Sequence, residues 1–199
     1  MCGIFGYVGK GFSPEALLDG IRRLEYRGYD SWGIALSGSC GIRIEKAEGR
    51  IPRETPPEFD GNGFLAGIAH TRWATHGAPT AVNAHPHAGC DHTLALAHNG
   101  IIENYKALRI RLSRLGHTFK SETDTEAAVH LVEQFIQDGL DLRNAFLAAL
   151  RSIEGTYGIA LVSSAAPGEI LIARRGSPLV IGQGNGFLVA ASDPSAIIS

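Results

Sequence analysis

No stretch of this sequence approaches the roughly 20 consecutive apolar residues that a membrane-spanning helix needs. Cysteine is scarce as well: Cys2, Cys40 and Cys90 are the only three. An odd, sparse set excludes a disulfide framework and leads to the expectation of a cytoplasmic protein with reduced thiols. Neither charge sign dominates. Eighteen Lys and Arg face 20 Asp and Glu, for a net charge of -2 and a pI near 6.4. That excludes the broad basic face of a nucleic-acid binder. Arg109, Arg111 and Arg114 do cluster, but at helical spacing, and read as a solvated helix face. The first residues lack a basic segment followed by an apolar one, so no secretory signal is expected. Position 2 is not glycine, so neither is myristoylation. There is no low-complexity tract and no repeat.

What is present is an ordinary globular composition, 44% hydrophobic and 19% charged, over 199 residues. That length supports one substantial domain with its own core. The 25 glycines are spread along the chain as turn punctuation. Strands are predicted at 3–8, 32–37, 41–46, 64–70, 93–98, 156–163, 169–174, 178–182 and 186–190, because these runs are short, apolar or alternating, and end in turn residues. Ser13 followed by Pro14 starts a helix with Leu17, Leu18, Ile21 and Leu24 on one face. A second helix spans about 102–115 and stops at Gly116. A third starts at Thr123, where Thr123 and Glu126 fit a capping box, and a fourth covers about 141–152. Residues 49–63, with three prolines, read as a loop. Strands come early, then helices, then strands again. The missing strand–helix alternation points to an α+β fold with mostly antiparallel sheets.

The chemistry concentrates in five polar stretches: "EYRGYDS" (25–31), "HTRWATHG" (70–77), "NAHPH" (83–87), "HNGIIENY" (98–105) and "SETDTE" (121–126). Cys2 is a nucleophile candidate with an unusual resource. Once Met1 is removed, which a small cysteine side chain permits, its own α-amine has a reference pKa of about 7.7–8.0. A general base works best near the operating pH, and here base and nucleophile share one residue. The carboxamide of Asn99 and the backbone N–H of Gly100 can converge on a developing oxyanion. Asn-Gly is also the strongest short hairpin signal, so a plain turn competes with that reading. Arg72 at a strand end can clamp a carboxylate. Asp124 in a first helical turn can hold an ammonium or simply favour the helix dipole. Together the two complement an α-amino acid.

In these residues and in "MCGIFGY", "RRLEYRGYDS", "GSPLVIG" and "ASD", in order over residues 1 to about 193, the chain resembles the class II glutamine amidotransferase (glutaminase) domains of the glutamine–fructose-6-phosphate aminotransferase (isomerising) family. The resemblance implies the N-terminal-nucleophile hydrolase fold, a four-layer αββα sandwich with two antiparallel sheets. It implies L-glutamine as substrate, Cys2 as nucleophile, and Asn99 and Gly100 as oxyanion hole. Arg72 and Asp124 would hold glutamine, helped by Trp73, Thr75 and His76. Arg27 would order the chain around Cys2, with His85 and His98 in support. No metal and no organic cofactor is implied for this step. Ammonia would pass to sugar-isomerase domains that convert fructose 6-phosphate to glucosamine 6-phosphate. Those domains are absent from residues 1–199, which read as a glutaminase domain cut short at its C-terminus. The full-length enzyme is expected to be a homo-oligomer without nucleic-acid or membrane partners. One departure is Trp32, where relatives carry alanine.

Other readings stay open. A different class II amidotransferase would use another acceptor, such as phosphoribosyl pyrophosphate or aspartate. A metallohydrolase could be built on His70, His76, His85, His87, His92 and His98, with 85 and 87 as a ligand pair. A catalytically silent glutamine-binding module would keep the pocket and lose the chemistry.

Overall fold

A computed structural model describes residues 2–55, 63–73 and 77–198. Ten strands form two antiparallel sheets. These are β1 (Gly3–Gly9), β2 (Ser31–Gly38), β3 (Gly41–Glu48), β4 (Phe64–Arg72), β5 (His87–Ala88), β6 (Leu94–Ile102), β7 (Gly155–Ser163), β8 (Leu171–Arg175), β9 (Val180–Gln183) and β10 (Phe187–Ala191). One sheet has the order β3-β2-β4-β1-β10-β9 and the other β5-β6-β7-β8. Helix α1 (Pro14–Arg22) covers the outer face of the first sheet. Helices α2 (Tyr105–Arg114), α3 (Thr125–Gln137) and α4 (Leu142–Ser152) cover the outer face of the second.

The period of two along each strand explains the layering. On β6, Leu94 and Leu96 pack under the helices while Ala95 and Ala97 face the other sheet. On β7, Tyr157, Ile159 and Leu161 point outward, and Ala160 and Val162 inward. On β1, Ile4 faces the inter-sheet layer and Phe5 packs beneath α1. Central strands are therefore buried on both faces, which is why they read as continuous apolar runs. The layer between the sheets mixes alanines (Ala35, Ala95, Ala97, Ala160) with larger side chains such as Ile4, Ile68 and Val162, so small and large residues from the two inner faces fit together. Trp32 packs with Ile34 and Leu36 in the cluster under α1, behind the first sheet.

The architecture is the expected αββα sandwich, and each predicted strand has a counterpart. Four local expectations are corrected. Asn99–Gly100 is not a hairpin: β6 runs through it, with Asn99 opposite Gly158 and Gly100 opposite Tyr157. The ladder continues to Ile102, so α2 begins at Tyr105 and not at 102. The capping box does not form either. Thr123 Oγ1 bonds His87 Nε2 (2.9 Å), and Glu126 accepts from the backbone N–H groups of Lys120 and Ser121 (2.7 Å each). Helix α3 therefore starts at Thr125. Ten consecutive residues of α3, Thr125 to Gln134, are buried, and burial on all sides removes the amphipathic period that marks a surface helix. The two-residue strand β5 is too short for any periodicity to announce it. The basic face of α2 is only partly solvated: Arg109 Nη1 donates to Ser121 O (2.8 Å), and its guanidinium lies 4.5 Å over the Phe119 ring. Of the expected loop at 49–63, residues 56–62 lie outside the described residues.

Candidate active site

The site forms where four backbone ends meet: the start of β1, the end of β4, the middle of β6 and the N-terminus of α3. Strand β1 lies at the centre of its sheet, between β4 and β10. Its register sets Gly3 opposite Thr71, which brings Cys2 beside Arg72 and Trp73. The Trp73 N–H donates to Cys2 Sγ (3.3 Å), and the thiol reaches Trp73 O (3.5 Å). Trp73 meets Cys2 through its backbone, while its indole is exposed and edge-on to Tyr29. Burial pushes the Cys2 thiol above its ordinary pKa, against the opposing pull of the Trp73 N–H and Arg72. The group is a thiol at neutral pH and needs a base to become a nucleophile.

The Cys2 carbonyl is held from two sides. Arg27 Nε and Asn99 Nδ2 both donate to it, each at 3.1 Å. Arg27 is itself fixed by Asp193 Oδ2 (3.0 Å), which ties the distant "ASD" string to the N-terminus. A carboxamide has two N–H bonds, so Asn99 can hold Cys2 O with one and keep the other for a ligand. The orientation of Asn99 is set by His70, whose Nε2 donates to Asn99 Oδ1 (3.0 Å). Next to it, Gly100 has φ +130°, and a Cβ there would meet Thr156 O at 2.2 Å. Only glycine fits this position.

Arg72 is buried and donates to the carbonyls of Ala78 (3.1 Å) and Gly77 (3.3 Å). Asp124 sits at the N-cap of α3 but caps nothing with its side chain. Its Oδ2 instead accepts from the Ile102 N–H (2.7 Å), bridging helix to strand. A purely helix-dipole role for Asp124 is therefore too small a description. Cys2, Arg72, Trp73, His85, His98, Asn99, Gly100, Thr123, Asp124 and Thr125 together enclose a small cavity of about 30 Å³. Eight of those ten are residues singled out in the sequence. Arg27 stands behind Cys2, and Thr75 and His76 lie outside the described residues.

Four histidines back this cavity, all neutral at physiological pH. Burial lowers His70 to about 3 and takes His85, His87 and His98 below their ordinary value. His98 donates through Nε2 to Thr156 O (3.3 Å) and accepts at Nδ1 from Thr125 Oγ1 (3.0 Å). His85 Nδ1 accepts from the His98 backbone N–H (3.5 Å). Of the rings in the metallohydrolase reading, His98 and His87 are thus bonded to threonines, His85 to a backbone N–H and His70 to the Asn99 side chain. His92 is exposed on a loop. The sequence offers His70 only as a metal ligand and gives Thr125 no role, although both lie in the quoted strings. His70 precedes Arg72 by two on a strand, so both point the same way.

The glutamine amidotransferase domain family matches residues 70–199. The chain is 50% identical over 202 residues to the glutamine–fructose-6-phosphate aminotransferase (isomerizing) of Methanothermobacter thermautotrophicus, covering 100% of this chain and 34% of that one. It is 46% identical to the protein of the same name from Thermotoga maritima, covering 100% of this chain and 32% of that one. The chain thus spans about a third of the length of these curated relatives. Among solved structures, the glutamine phosphoribosylpyrophosphate amidotransferase from B. subtilis superposes with a TM-score of 0.83 at 26% identity, covering 98% of this chain and 43% of that one.

Proposed function

We propose a glutaminase on one premise: this chain belongs to the glutamine amidotransferase domain family. The reaction is hydrolysis of L-glutamine to glutamate and ammonia by acyl transfer. The observation that carries the reading is the single cavity shared by Cys2, Arg72, Asn99, Gly100 and Asp124. It pairs a nucleophile with oxyanion donors on one side and with charges complementary to an α-amino acid on the other.

The steps follow from the residues. With Met1 removed, the α-amine of Cys2 accepts the thiol proton, a transfer that the buried thiol requires. Sγ bonds to the side-chain amide carbon of glutamine, and the carbonyl electron pair moves onto oxygen. The resulting oxyanion receives the free Asn99 N–H and the Gly100 N–H. The protonated amine gives its proton to the leaving nitrogen, the C–N bond breaks, and ammonia departs. Water, deprotonated by the same amine, then cleaves the thioester and releases glutamate. Arg72 holds the substrate carboxylate and Asp124 its ammonium, with Trp73, Thr75 and His76 alongside. Arg27 keeps the Cys2 carbonyl out of the way of the thiol. His85 and His98 brace the wall, and His70 keeps Asn99 turned so that its N–H groups face Cys2.

We assign residues 1–199 to this one domain. By the names of its relatives, the acceptor for ammonia in a protein of their length is fructose 6-phosphate, giving glucosamine 6-phosphate. Phosphoribosyl pyrophosphate is the second reading, favoured by the structural neighbour. The 46–50% identity to the fructose-6-phosphate enzymes, against 26% to that neighbour, supports the sugar reading.

The test is glutamate release from glutamine. The wild-type chain should turn over and have an intact mass lacking Met1, while Cys2→Ala should lose at least about 10³-fold in kcat. Residual turnover near wild type in Cys2→Ala, or an active protein that retains Met1, refutes the mechanism. For the acceptor, the full-length protein should form glucosamine 6-phosphate from fructose 6-phosphate and glutamine. Consumption of phosphoribosyl pyrophosphate in its place would establish the second reading.

A further inference from the structure

A second constellation lies where the β5–β6 loop meets α3 and the segment after α2, and it takes no part in the glutaminase site. Cys90, in the loop between β5 and β6, meets His117 from the segment after α2, and His130 and Glu133 from one turn of α3. None of the four lines the Cys2 cavity. The geometry points to a closed four-ligand site for a divalent transition metal, zinc by its donor set, formed by Cys90 Sγ, His117 Nδ1, His130 Nδ1 and Glu133 Oε2.

The distances suit a tetrahedron. With metal–sulfur bonds of about 2.3 Å and metal–nitrogen or metal–oxygen bonds of about 2.0–2.1 Å, the edges of a tetrahedral zinc site are about 3.6 Å for S···N and about 3.3 Å for N···O. Here Sγ lies 3.7 Å from His117 Nδ1 and 3.6 Å from His130 Nδ1. Glu133 Oε2 lies 2.9 Å from His117 Nδ1 and 3.0 Å from His130 Nδ1. All four donor atoms fall within 4.8 Å of one another. A small expansion about the carboxylate oxygen completes the polyhedron.

The outer contacts argue more strongly than the distances. Gln134 Nε2 donates to Asp138 Oδ1 (2.8 Å), which turns Gln134 Oε1 towards His117 Nε2 at 3.0 Å. An amide oxygen only accepts, so the His117 proton is on Nε2. Its Nδ1 then faces Glu133 Oε2 across 2.9 Å, in the direction of the proposed metal position. His130 lies between two carboxylates: its Nδ1 faces Glu133 Oε2 (3.0 Å), and its buried Nε2, which has no hydrogen-bond partner among the described residues, points at Glu126 Oε1, 3.7 Å away. Imidazoles whose outer nitrogens face an amide oxygen and a carboxylate are oriented as metal ligands are.

Charge and access fit as well. Two neutral imidazoles, one thiolate and one carboxylate bring a net -2, which a divalent cation neutralises in a largely buried place. Binding breaks the Cys90 S–H bond and releases its proton to solvent. The Thr118 N–H points at that sulfur (3.5 Å) and would stabilise the thiolate. Glu133 Oε1 accepts from the Asp91 N–H (3.1 Å), and a Cβ at Gly89 would come within 2.8 Å of that oxygen, so the loop is fitted to the carboxylate. Cys90 and His130 also line a larger open cavity of about 530 Å³, which supplies an entry path. With every corner taken by protein, the site is structural. It would bind the β5–β6 loop and the segment leading to Asp124 onto α3.

The full chain, stripped with chelator and reconstituted, tests this. One zinc per chain should bind, and Co²⁺ should give tetrahedral d–d bands with a thiolate charge-transfer band. Cys90→Ser, at an exposed position, should fold, lose the charge-transfer band and weaken zinc at least 10-fold. Gln134→Leu should weaken zinc by about 10- to 100-fold while keeping the charge-transfer band. A stripped wild-type chain that takes up no zinc at micromolar concentration overturns the proposal, as does a cobalt spectrum that Cys90→Ser leaves unchanged. Glutamate release by the stripped protein is read in parallel. A glutaminase that fails while zinc still binds leaves this site standing and removes only the function proposed for Cys2.

Discussion

At the scale of the residue, one side chain often answers to two demands. Asn99 holds the Cys2 carbonyl while keeping a second N–H for the oxyanion. Asp124 holds the Ile102 N–H through one oxygen, and the other lies 3.5 Å from Thr125 Oγ1. That second oxygen is the natural partner for the substrate ammonium. Asp124→Asn keeps an acceptor for Ile102 but removes the charge, so it should raise the glutamine KM by about 10- to 100-fold, the cost of a lost charge-assisted hydrogen bond. Its kcat should change far less. Steady-state kinetics decide: an unchanged KM would mean that Asp124 serves the helix–strand junction alone.

At the scale of the element, β6 shows how a strand can carry catalysis. The competing reading, a plain turn at Asn99–Gly100, would have ended the strand there. Instead the ladder continues, and the positive φ of Gly100 lets the backbone pass close to Thr156 without breaking the pairing with β7. Gly100→Ala would impose both a disfavoured backbone conformation and a clash with a carbonyl. A loss of at least about 2 kcal/mol in urea unfolding is expected, together with lower turnover because Asn99 shifts with it. If Gly100→Ala unfolds like wild type, the close approach is not a constraint. The helices teach a similar point. α1 displays its cap and its apolar face plainly, with Ser13 accepting from the Ala16 N–H (3.1 Å). By contrast α3 is enclosed on all sides and hides its start behind threonines that bond elsewhere.

At the scale of the whole molecule, four neutral histidines sit in the wall between the sheets and helices. Burial holds His70 near 3 and lowers His85, His87 and His98. An unfolded chain protonates these rings below about pH 6.5, and the folded one does not. The unfolded state therefore binds more protons in that range, and stability rises with pH up to about 6.5 and falls as acid is added. For His70 alone the slope approaches about 1.4 kcal/mol per pH unit midway between 6.5 and 3 and falls to about half that at either end. Urea unfolding at pH 7 and pH 5 should show clear destabilisation at pH 5, before carboxylates titrate. Equal stability at the two values would mean that these rings are charged or exposed.

The sequence by itself determined the chemistry available. Cys2 behind a removable methionine, the polar strings, the capped first helix and the alternating strands could all be read locally, because nucleophile, cap and period of two are properties of neighbours in the chain. Tertiary structure decided the convergences. Arg27 and Asp193 meet over 166 residues, and His70 reaches Asn99 over 29. Cys90, His117, His130 and Glu133 come from three segments whose spacing matches no compact ligand motif. Such contacts depend on sheet register and on which helix covers which face, and those are settled by burial of the whole core and not by any local string.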